Sequence, residues 1–512
     1  MSHAGRITPL RLFLAVWLSV VLVTATNITR EHYPAFALVD GSGWRCDRYA
    51  EFHSDIFKHT DGHWYINNNI GASTLAAIPL FVFSPILDAV ERRSVERIAA
   101  MDASGTKIDT SYSTPWPNRE KMYRLARERG LDIRFGLSTL VIALFLMAPL
   151  AGAVALLLRR WCVERGLGPD AAAVFGFAFV VATPMLYRAA TLNHNLLVGV
   201  ATIGAWWFIE RTPGAFLPAR AQLLLAGACS GAAVLFDYSG VVTALWAGTI
   251  VIVRTEGAKV RLTNALWFAL GALPPIAIQL SAQAWCFGDP WLPPARWMGA
   301  TSFSDRGFNG FDLPAVDLAV ANLLDPRFGL LPYAPLLVLG FLPPPKGSWL
   351  SRDVWMRGLL LVLGYLVFAS ANQFARMQWN TGFRYLCPVL FPLWVGAAAH
   401  LTTWRPSLRR CVLVVAALHA FVLATSRTRH VVDDWDKVVG GAFRLPLVDT
   451  LARTATGKDL SLGLSNLSGG LVSTDAARTF LIGAWPSVIA TTLVAWACWR
   501  LLRPTRASHA RS

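Results

Sequence analysis

Charged side chains are scarce in this chain: Asp, Glu, Lys and Arg make up 15% of its 512 residues. An average soluble domain carries about 25%. With 54% hydrophobic residues, that shortage excludes an ordinary soluble globular protein. Lysine is rarest of the charged types, occurring only at Lys58, Lys107, Lys121, Lys259, Lys346, Lys437 and Lys458. The net charge of +16 therefore rests mainly on arginine, a bias that matches a GC-rich bacterial genome. Cys46, Cys162, Cys229, Cys286, Cys387, Cys411 and Cys498 form no Cys-x-x-Cys pair and no zinc-ligand spacing, which argues against a zinc module or a dithiol redox centre. The short alternating segments of a membrane β-barrel do not dominate, and no repeat of fixed period is visible.

What fills the chain instead is a series of apolar runs of roughly 17–25 residues, the length that crosses a bilayer as a helix. The fold class is therefore an all-α polytopic membrane protein. In such a protein basic residues hold the cytoplasmic loops in place, so the positive charge does not call for nucleic acid. The first run, Leu12 to Ile28, has no small-residue cleavage site before a folded domain and reads as a retained helix. Arg6 and Arg11 place its start inside. The run Thr74–Val90 is short and broken by Pro79 and Pro85. If it crossed, Arg159, Arg160 and Arg165 would fall outside. The charge rule favours leaving it in the outer interface. Residues 29–133 then form one long external loop with interfacial helices, including the basic stretch Arg119–Arg134.

With that choice, runs at 135–158, 171–187, 194–210, 220–238, 239–253, 262–284, 328–344, 357–371, 385–403, 410–426 and 481–501 alternate across the membrane. The expectation is a bundle of about 12 transmembrane helices. Residues 1–426 form the transmembrane module, 427–480 an external loop or small cap, and 481–512 a last helix with a basic cytoplasmic tail. A disulfide between Cys46 and Cys286 is an option on the outer, oxidising side.

The unusual residues gather on the outer side. The first loop packs Asp40, Asp47, Asp61, His53, His59 and His63 among Trp44, Tyr49, Trp64 and Tyr65. Attack of a hydroxyl on an anomeric carbon needs a base within hydrogen-bond reach, and a carboxylate serves. Asp47 and Asp40 are the candidates; both could instead cap short interfacial helices. Asp61, His63 and Tyr65, in the run DGHWY, can hydrogen-bond and stack on a sugar, or simply form a turn with an aromatic belt. His59, His63 and Asp61 leave a divalent metal open, and their generic spacing calls for no particular cofactor. Arg188 and His194 stand at a tight outer turn, and Asp237 at an outer helix end, where an ionisable group is costly unless solvated, paired or in use. Arg327, Arg384, Trp379 and Tyr385 lie at outer mouths. Arginine there runs against the charge rule and suits an anionic head group held bidentately.

The pieces DRYAE, DGHWYINNNIGASTLAAIP, the Thr183–His194 run, AVLFDY, FGDPW, DPRFGLLPYAP and WNTGFRYLCP resemble, in their order and outward placement, the GT-C superfamily of polyprenyl-phosphate-sugar-dependent glycosyltransferases. The likeness is to its family 39-like group, with protein O-mannosyltransferases and lipid A aminoarabinose transferase as relatives. It spans about Asp40 to His400. It implies a GT-C-like bundle, juxtamembrane helices in the first loop and an acidic base there. It also implies a polyprenyl-phosphate-linked sugar donor, a glycan, lipid or protein acceptor, and work at the periplasmic or exterior face of the cytoplasmic membrane. Where the commonest relatives carry Lys-Pro-Pro-Gly or His-Pro-Pro, this chain has Asn67, Asn68, Asn69, Ile70 and Gly71, which removes a cation expected near the donor phosphate. A lipid or polysaccharide transporter and an O-antigen-type polymerase or ligase are the rival expectations.

Overall fold

The computed structural model describes residues 7–106, 110, 117–211, 217–380, 383–428, 445–457, 471–472 and 474–503. The chain is mostly helical (72%). Helix α1 (Pro9–Leu22) is followed by α2 (His32–Val39), a hairpin of β1 (Ile56–Lys58) and β2 (Trp64–Ile66), α3 (Ile70–Ala103) and α4 (Pro117–Glu128). Next come α5 (Asp132–Ile142) and α6 (Ala148–Glu164), joined through a π-turn at Ala143–Met147 into one 33-residue rod. Helices α7 (Pro169–Val181), α8 (Met185–Arg188), α9 (His194–Glu210), α10 (Ala219–Phe236), α11 (Gly240–Val253) and α12 (Ala258–Phe287) complete the first half. The second half holds α13 (Val316–Leu324), α14 (Leu330–Tyr333), α15 (Arg352–Ala371), α16 (Leu390–Leu401), α17 (Pro406–Thr428), α18 (Pro446–Ala455), α19 (Asp475–Ile482) and α20 (Trp485–Leu502).

Six of these are long and apolar enough to cross a membrane: α3, the α5–α6 rod, α10, α12, α15 and α17. A seventh exists if α19 and α20, bent by 60°, count as one span. The expectation of about 12 is corrected accordingly, and so is the reading of Thr74–Val90 as too short to cross: it lies within the 34-residue α3. Apolar runs overcount because several do not become membrane-length helices. The run 239–253 gives 14 residues of helix, about 21 Å at 1.5 Å per residue. The run 171–187 stops at Val181, shortly before Pro184. The run 328–344 breaks into the four-residue α14 and a 3₁₀ turn at Pro335–Phe341, since Pro332 and Pro335 each lack a backbone N–H. Most of 427–480, the expected cap, lies outside the described residues.

The bundle has two distinguishable ends. At one, Arg159 reaches the Ile7 carbonyl before α1, and Arg165, just after α6, donates to the Glu210 carbonyl at the end of α9. Glu210 is buried there and held by Arg357 at 2.5 and 2.7 Å, with Arg165 and Arg254 at 3.7 and 3.5 Å. At the other end lie the start of α9, the end of α10 and the first loop. Helix α3 meets that second end twice. Ser73 in its first turn donates to the Glu31 carbonyl, and Glu91 pairs with Arg134 at the start of α5. Between these anchors Ile78, Phe81, Val82 and Ile86 face outward, each more than half exposed. Such an apolar face belongs against lipid.

Close helix contact organises the middle. Gly227 and Gly231 on α10 and Gly271 on α12 sit where an added Cβ would meet Phe268, Ala272 and Leu224 backbone within 2.4 Å. This small-xxx-small pairing brings the two backbones together as in membrane helix pairs, and it fixes where α10 ends.

Candidate functional site

The first loop folds as a cap on the second end. Phe36 stacks on Phe135 with ring centroids 5.1 Å apart, and Tyr33, Tyr49 and Phe52 close around them. The two expected catalytic carboxylates lie beside that aromatic nest. Asp40, after α2, accepts from Tyr49 at 2.6 Å and from Arg134 at 2.7 Å, with Arg48 at 3.3 Å. Arg134 and Arg48 also pair with Glu91. Both Asp40 oxygens are thus occupied in a lattice that ties α2, α3 and α5 together. Asp47 accepts the Trp64 N–H at 2.7 Å and meets His63 Nδ1 at 2.8 Å. It pins the Asp47–Tyr49 turn to the hairpin. These bonds tie Asp40 to α3 and α5 and Asp47 to the hairpin; neither is the helix-capping bond that was the alternative to a base role.

The DGHWY run is the hairpin turn. Asp61 accepts from the Tyr65 hydroxyl at 2.8 Å and from the His63 N–H at 2.9 Å. His59 packs edge-on against Tyr65, Phe287 and Trp297. Among the described residues no group of three or more His, Cys, Asp or Glu side chains is arranged to hold a metal. Cys46 and Cys286 are buried free thiols, so the optional disulfide is not formed.

The polar centre lies elsewhere, and its nucleus, Arg30–Glu31, was not singled out from the sequence. Asn193 caps α9 by accepting the Leu196 N–H at 2.9 Å, a standard N-cap, and this sets His194 in the first turn. Thr29 bonds the Leu192 carbonyl at 3.0 Å, drawing the start of the first loop onto that cap. His194 Nδ1 then hydrogen-bonds Glu31, and its Nε2 stands 3.6 Å from Asp237 and 3.4 Å from Arg30 Nη2. Asp237 is the capping residue of α10 and accepts the Ser239 N–H at 2.9 Å, an Asx turn. Its side chain is 20% exposed, whereas that of Glu31 is 4% exposed. Arg30 pairs with Asp55 at 3.2 Å and Glu31 at 3.7 Å, and the Tyr385 hydroxyl is close enough to act on its charge.

Burial alone would raise the Glu31 carboxyl, but the His194 hydrogen bond and the charges of His194 and Arg30 outweigh it and hold it below the usual carboxylate range. Next to it, burial pushes the His32 imidazole down to about 4, against the pull of Glu31 and of the Thr29 bond. His32 is therefore neutral in the fold, while the unfolded chain protonates it near 6.5. Its contribution is complete above pH 6.5 and is lost as the pH falls from 6.5 towards 4, on the order of 3 kcal/mol over that window. Thermal unfolding followed between pH 4 and 6.5 is expected to show a steeper acid loss for the native chain than for His32→Gln. Equal slopes would rule out this assignment.

The remaining expected residues divide. Arg384 donates to the Tyr385 hydroxyl at 2.9 Å and the Phe374 carbonyl at 3.3 Å; among the described residues no carboxylate pairs with it. Gln378 Oε1 accepts the Arg384 and Tyr385 N–H groups at 3.3 and 3.2 Å, and the Tyr187 hydroxyl bonds the Phe383 carbonyl at 3.1 Å. These bonds lock the 383–385 segment over α8. Arg188 is buried beside this segment, with Asn195 Oδ1 at 3.4 Å. Arg327 is exposed and bidentate on its neighbour Asp325, at 3.2 and 3.0 Å, a local turn pair. The Trp379 side chain lies outside the described residues. The structure thus brings His194 and Asp237 together with Arg30 and Glu31; Tyr385, with Arg384 beside it, lies within electrostatic range of Arg30.

Glu31 was detectable in principle. An acidic residue three positions past the Leu12–Ile28 run, beside an arginine and bounded by TNIT and HYP, is as anomalous as Asp40. Comparison of the chain with protein-family models, with curated proteins and with solved structures finds no match in any of the three.

Proposed function

We propose that the protein is a membrane glycosyltransferase that moves a sugar from a polyprenyl-phosphate donor to a hydroxyl of a glycan, lipid or protein. The observation that carries this reading is the convergence of Arg30, Glu31, His194, Asp237 and Tyr385 at one end of a lipophilic bundle, next to Arg384. A guanidinium without a carboxylate partner suits a phosphate, and a carboxylate with partial solvent access suits a base. The sequence resemblance to GT-C enzymes supports the same reading. Clustering of Arg159, Arg165, Arg211, Arg254 and Arg357 at the opposite end supports a cytoplasmic location for that end, so the site faces the periplasm or exterior of the cytoplasmic membrane.

In this mechanism Asp237 takes the proton of the acceptor hydroxyl as its oxygen attacks the anomeric carbon. The bond from that carbon to the phosphate oxygen breaks, and its electron pair leaves on the phosphate, with inversion. The leaving phosphate needs no proton, so a cation suffices to stabilise it, and Arg384 supplies that charge. His194, held by Glu31, positions the Asp237 carboxylate from 3.6 Å. Asp237 thus takes the role that Asp47 or Asp40 was expected to fill.

Mass spectrometry of lipid retained by the purified protein, followed by a transfer assay with that lipid, tests the reading. A polyprenyl phosphate or its glycoside supports it; a purified protein that transfers no sugar from any polyprenyl-phosphate donor refutes it. Arg384→Gln is expected to weaken farnesyl phosphate binding about 10- to 100-fold, the value of a charge-assisted bond of about 1.5–3 kcal/mol. Isothermal titration reads this, and unchanged affinity would remove Arg384 from the site.

One feature favours a lipid transporter as the second reading. The segment Leu330–Phe341 is a broken, largely non-α stretch within an apolar run, and broken helices line transport sites. Flux of a lipid with an inert head group, without sugar transfer, would select it.

A further inference from the structure

The two faces of α13 differ. Leu318 and Asn322 are buried, while Val316, Val320 and Leu324, spaced every four residues, form one outward stripe. Phe308 and Leu313, in the turn before the helix, extend it, and all five side chains are at least half exposed. Backbone bonds fix where the stripe stands. Arg357, near the start of α15, pairs with Glu210, so Ala371 at the far end of α15 lies at the candidate-site end. There the Asp312 and Ala315 N–H groups donate to the Ala371 and Ser370 carbonyls, each at 3.0 Å, and Phe311 packs on Phe368 with centroids 4.8 Å apart. The 20 residues of α15 rise about 30 Å, the thickness of a bilayer's hydrocarbon core. Helix α13 is therefore tied to the last turn of a membrane-length helix.

We propose that α13 and the turn before it lie in the bilayer interface at that end, with the stripe against lipid. The stripe continues a lipid-facing surface: Met356, Leu360, Leu363 and Val367 form an exposed apolar face on α15 itself. A protein partner fits less well. A nine-residue helix is about 14 Å long, and its face falls far short of the roughly 800 Å² per partner that a stable protein interface buries. The stripe is aliphatic apart from Phe308, without the Trp, Tyr and Arg that anchor protein partners. Charge stands at its margin, where Asp317 and Arg376 pair at 2.7 Å and remain partly exposed, as groups at head-group level do. The buried face of α13 meets the candidate site. Gln378 Nε2 donates to Asn322 Oδ1 at 2.6 Å, and Gln378 Oε1 accepts the Arg384 and Tyr385 N–H groups. Lipid on one face of α13 is thus two side chains away from the 383–385 segment. Such seating does not depend on which reaction the site performs.

The test uses the full-length protein in lipid nanodiscs. A nitroxide is attached in turn to Val316→Cys, Val320→Cys and Leu324→Cys, in a Cys411→Ser background because Cys411 is an exposed native thiol. Leu363→Cys on α15 gives the lipid reference, and Lys58→Cys on the hairpin the aqueous one. Electron paramagnetic resonance compares access by oxygen, which concentrates in lipid, with access by a water-soluble nickel chelate. The stripe labels are expected to favour oxygen, as the Leu363 label does, at a depth of about 5–10 Å below the head groups, where interfacial helices rest. Nickel access equal to that at Lys58 overturns the proposal. Exclusion of both reagents also overturns it, because a protein surface then covers the stripe. Spin–spin broadening that disappears on dilution with unlabelled protein would identify that surface as a second copy. Should one variant fail to assemble, the other two positions carry the same reading.

Discussion

Asp237→Asn is expected to lower sugar transfer by about 10²–10⁴-fold with donor affinity nearly intact, the range in which a general base contributes. The substitution keeps the shape and the bond from the Ser239 N–H to Oδ1, and removes only the ability to accept a proton. His194→Gln is expected to cost less, about 10-fold to 10²-fold, because His194 acts through Asp237. Its effect should appear in kcat rather than KM, with a shifted pH profile. Asp47→Asn provides the contrast. Its carboxylate meets His63 and the Trp64 N–H, so turnover should change by no more than a few-fold. Asp40→Asn should act on stability, because it removes the charge that answers Arg134, whose side chain is 3% exposed. Initial rates with a lipid-phosphate donor measure all four. Full activity in Asp237→Asn, with Asp47→Asn inactive, would return the base to Asp47.

The second large effect lies at the opposite end and concerns the fold. Glu210→Gln is expected to destabilise the protein by about 3–5 kcal/mol, the cost of removing one partner from a buried ion pair. The glutamate side chain is 1% exposed and answers Arg357, Arg165 and Arg254 together. Neutralising it leaves three guanidinium groups facing one another where α9, α11, α15 and the end of α6 meet. Glu128, 46% exposed and paired with Arg124, 51% exposed, is the control. Glu128→Gln should cost about 1 kcal/mol or less, as exposed pairs do. Thermal unfolding in detergent reads the difference, and two equal shifts would mean that the Glu210 knot is not what holds this end.

Much of this was visible in residues alone. Apolar runs identified a helical chain with membrane-length spans, and the outer placement of Tyr187–His194 and Asp237 pointed to residues that stand close together, His194 Nε2 being 3.6 Å from Asp237. Counting apolar runs overstated the number of membrane-length helices, because hydropathy alone does not weigh the missing N–H groups of Pro332 and Pro335 or the shortness of the 239–253 run. Nor could composition separate carboxylates with different partners. Asp40, Asp47 and Glu31 look alike in a loop, yet Arg134 claims the first, the hairpin claims the second, and only the third meets His194. That choice follows from the Asn193 cap and from Thr29 bonding Leu192, contacts across 163 residues of chain in the latter case. Glu31 drew no notice because the dense aromatic and acidic stretch after Val39 was the stronger local signal.

A cryo-electron microscopy map of the full-length protein with farnesyl-phosphoryl glucose bound would test the central claim most directly. The phosphate is expected against Arg384 and Tyr385, with the anomeric carbon facing Asp237. Density for the phosphate at Arg165, Arg254 and Arg357, or beside Asp40 and Arg134, would contradict it.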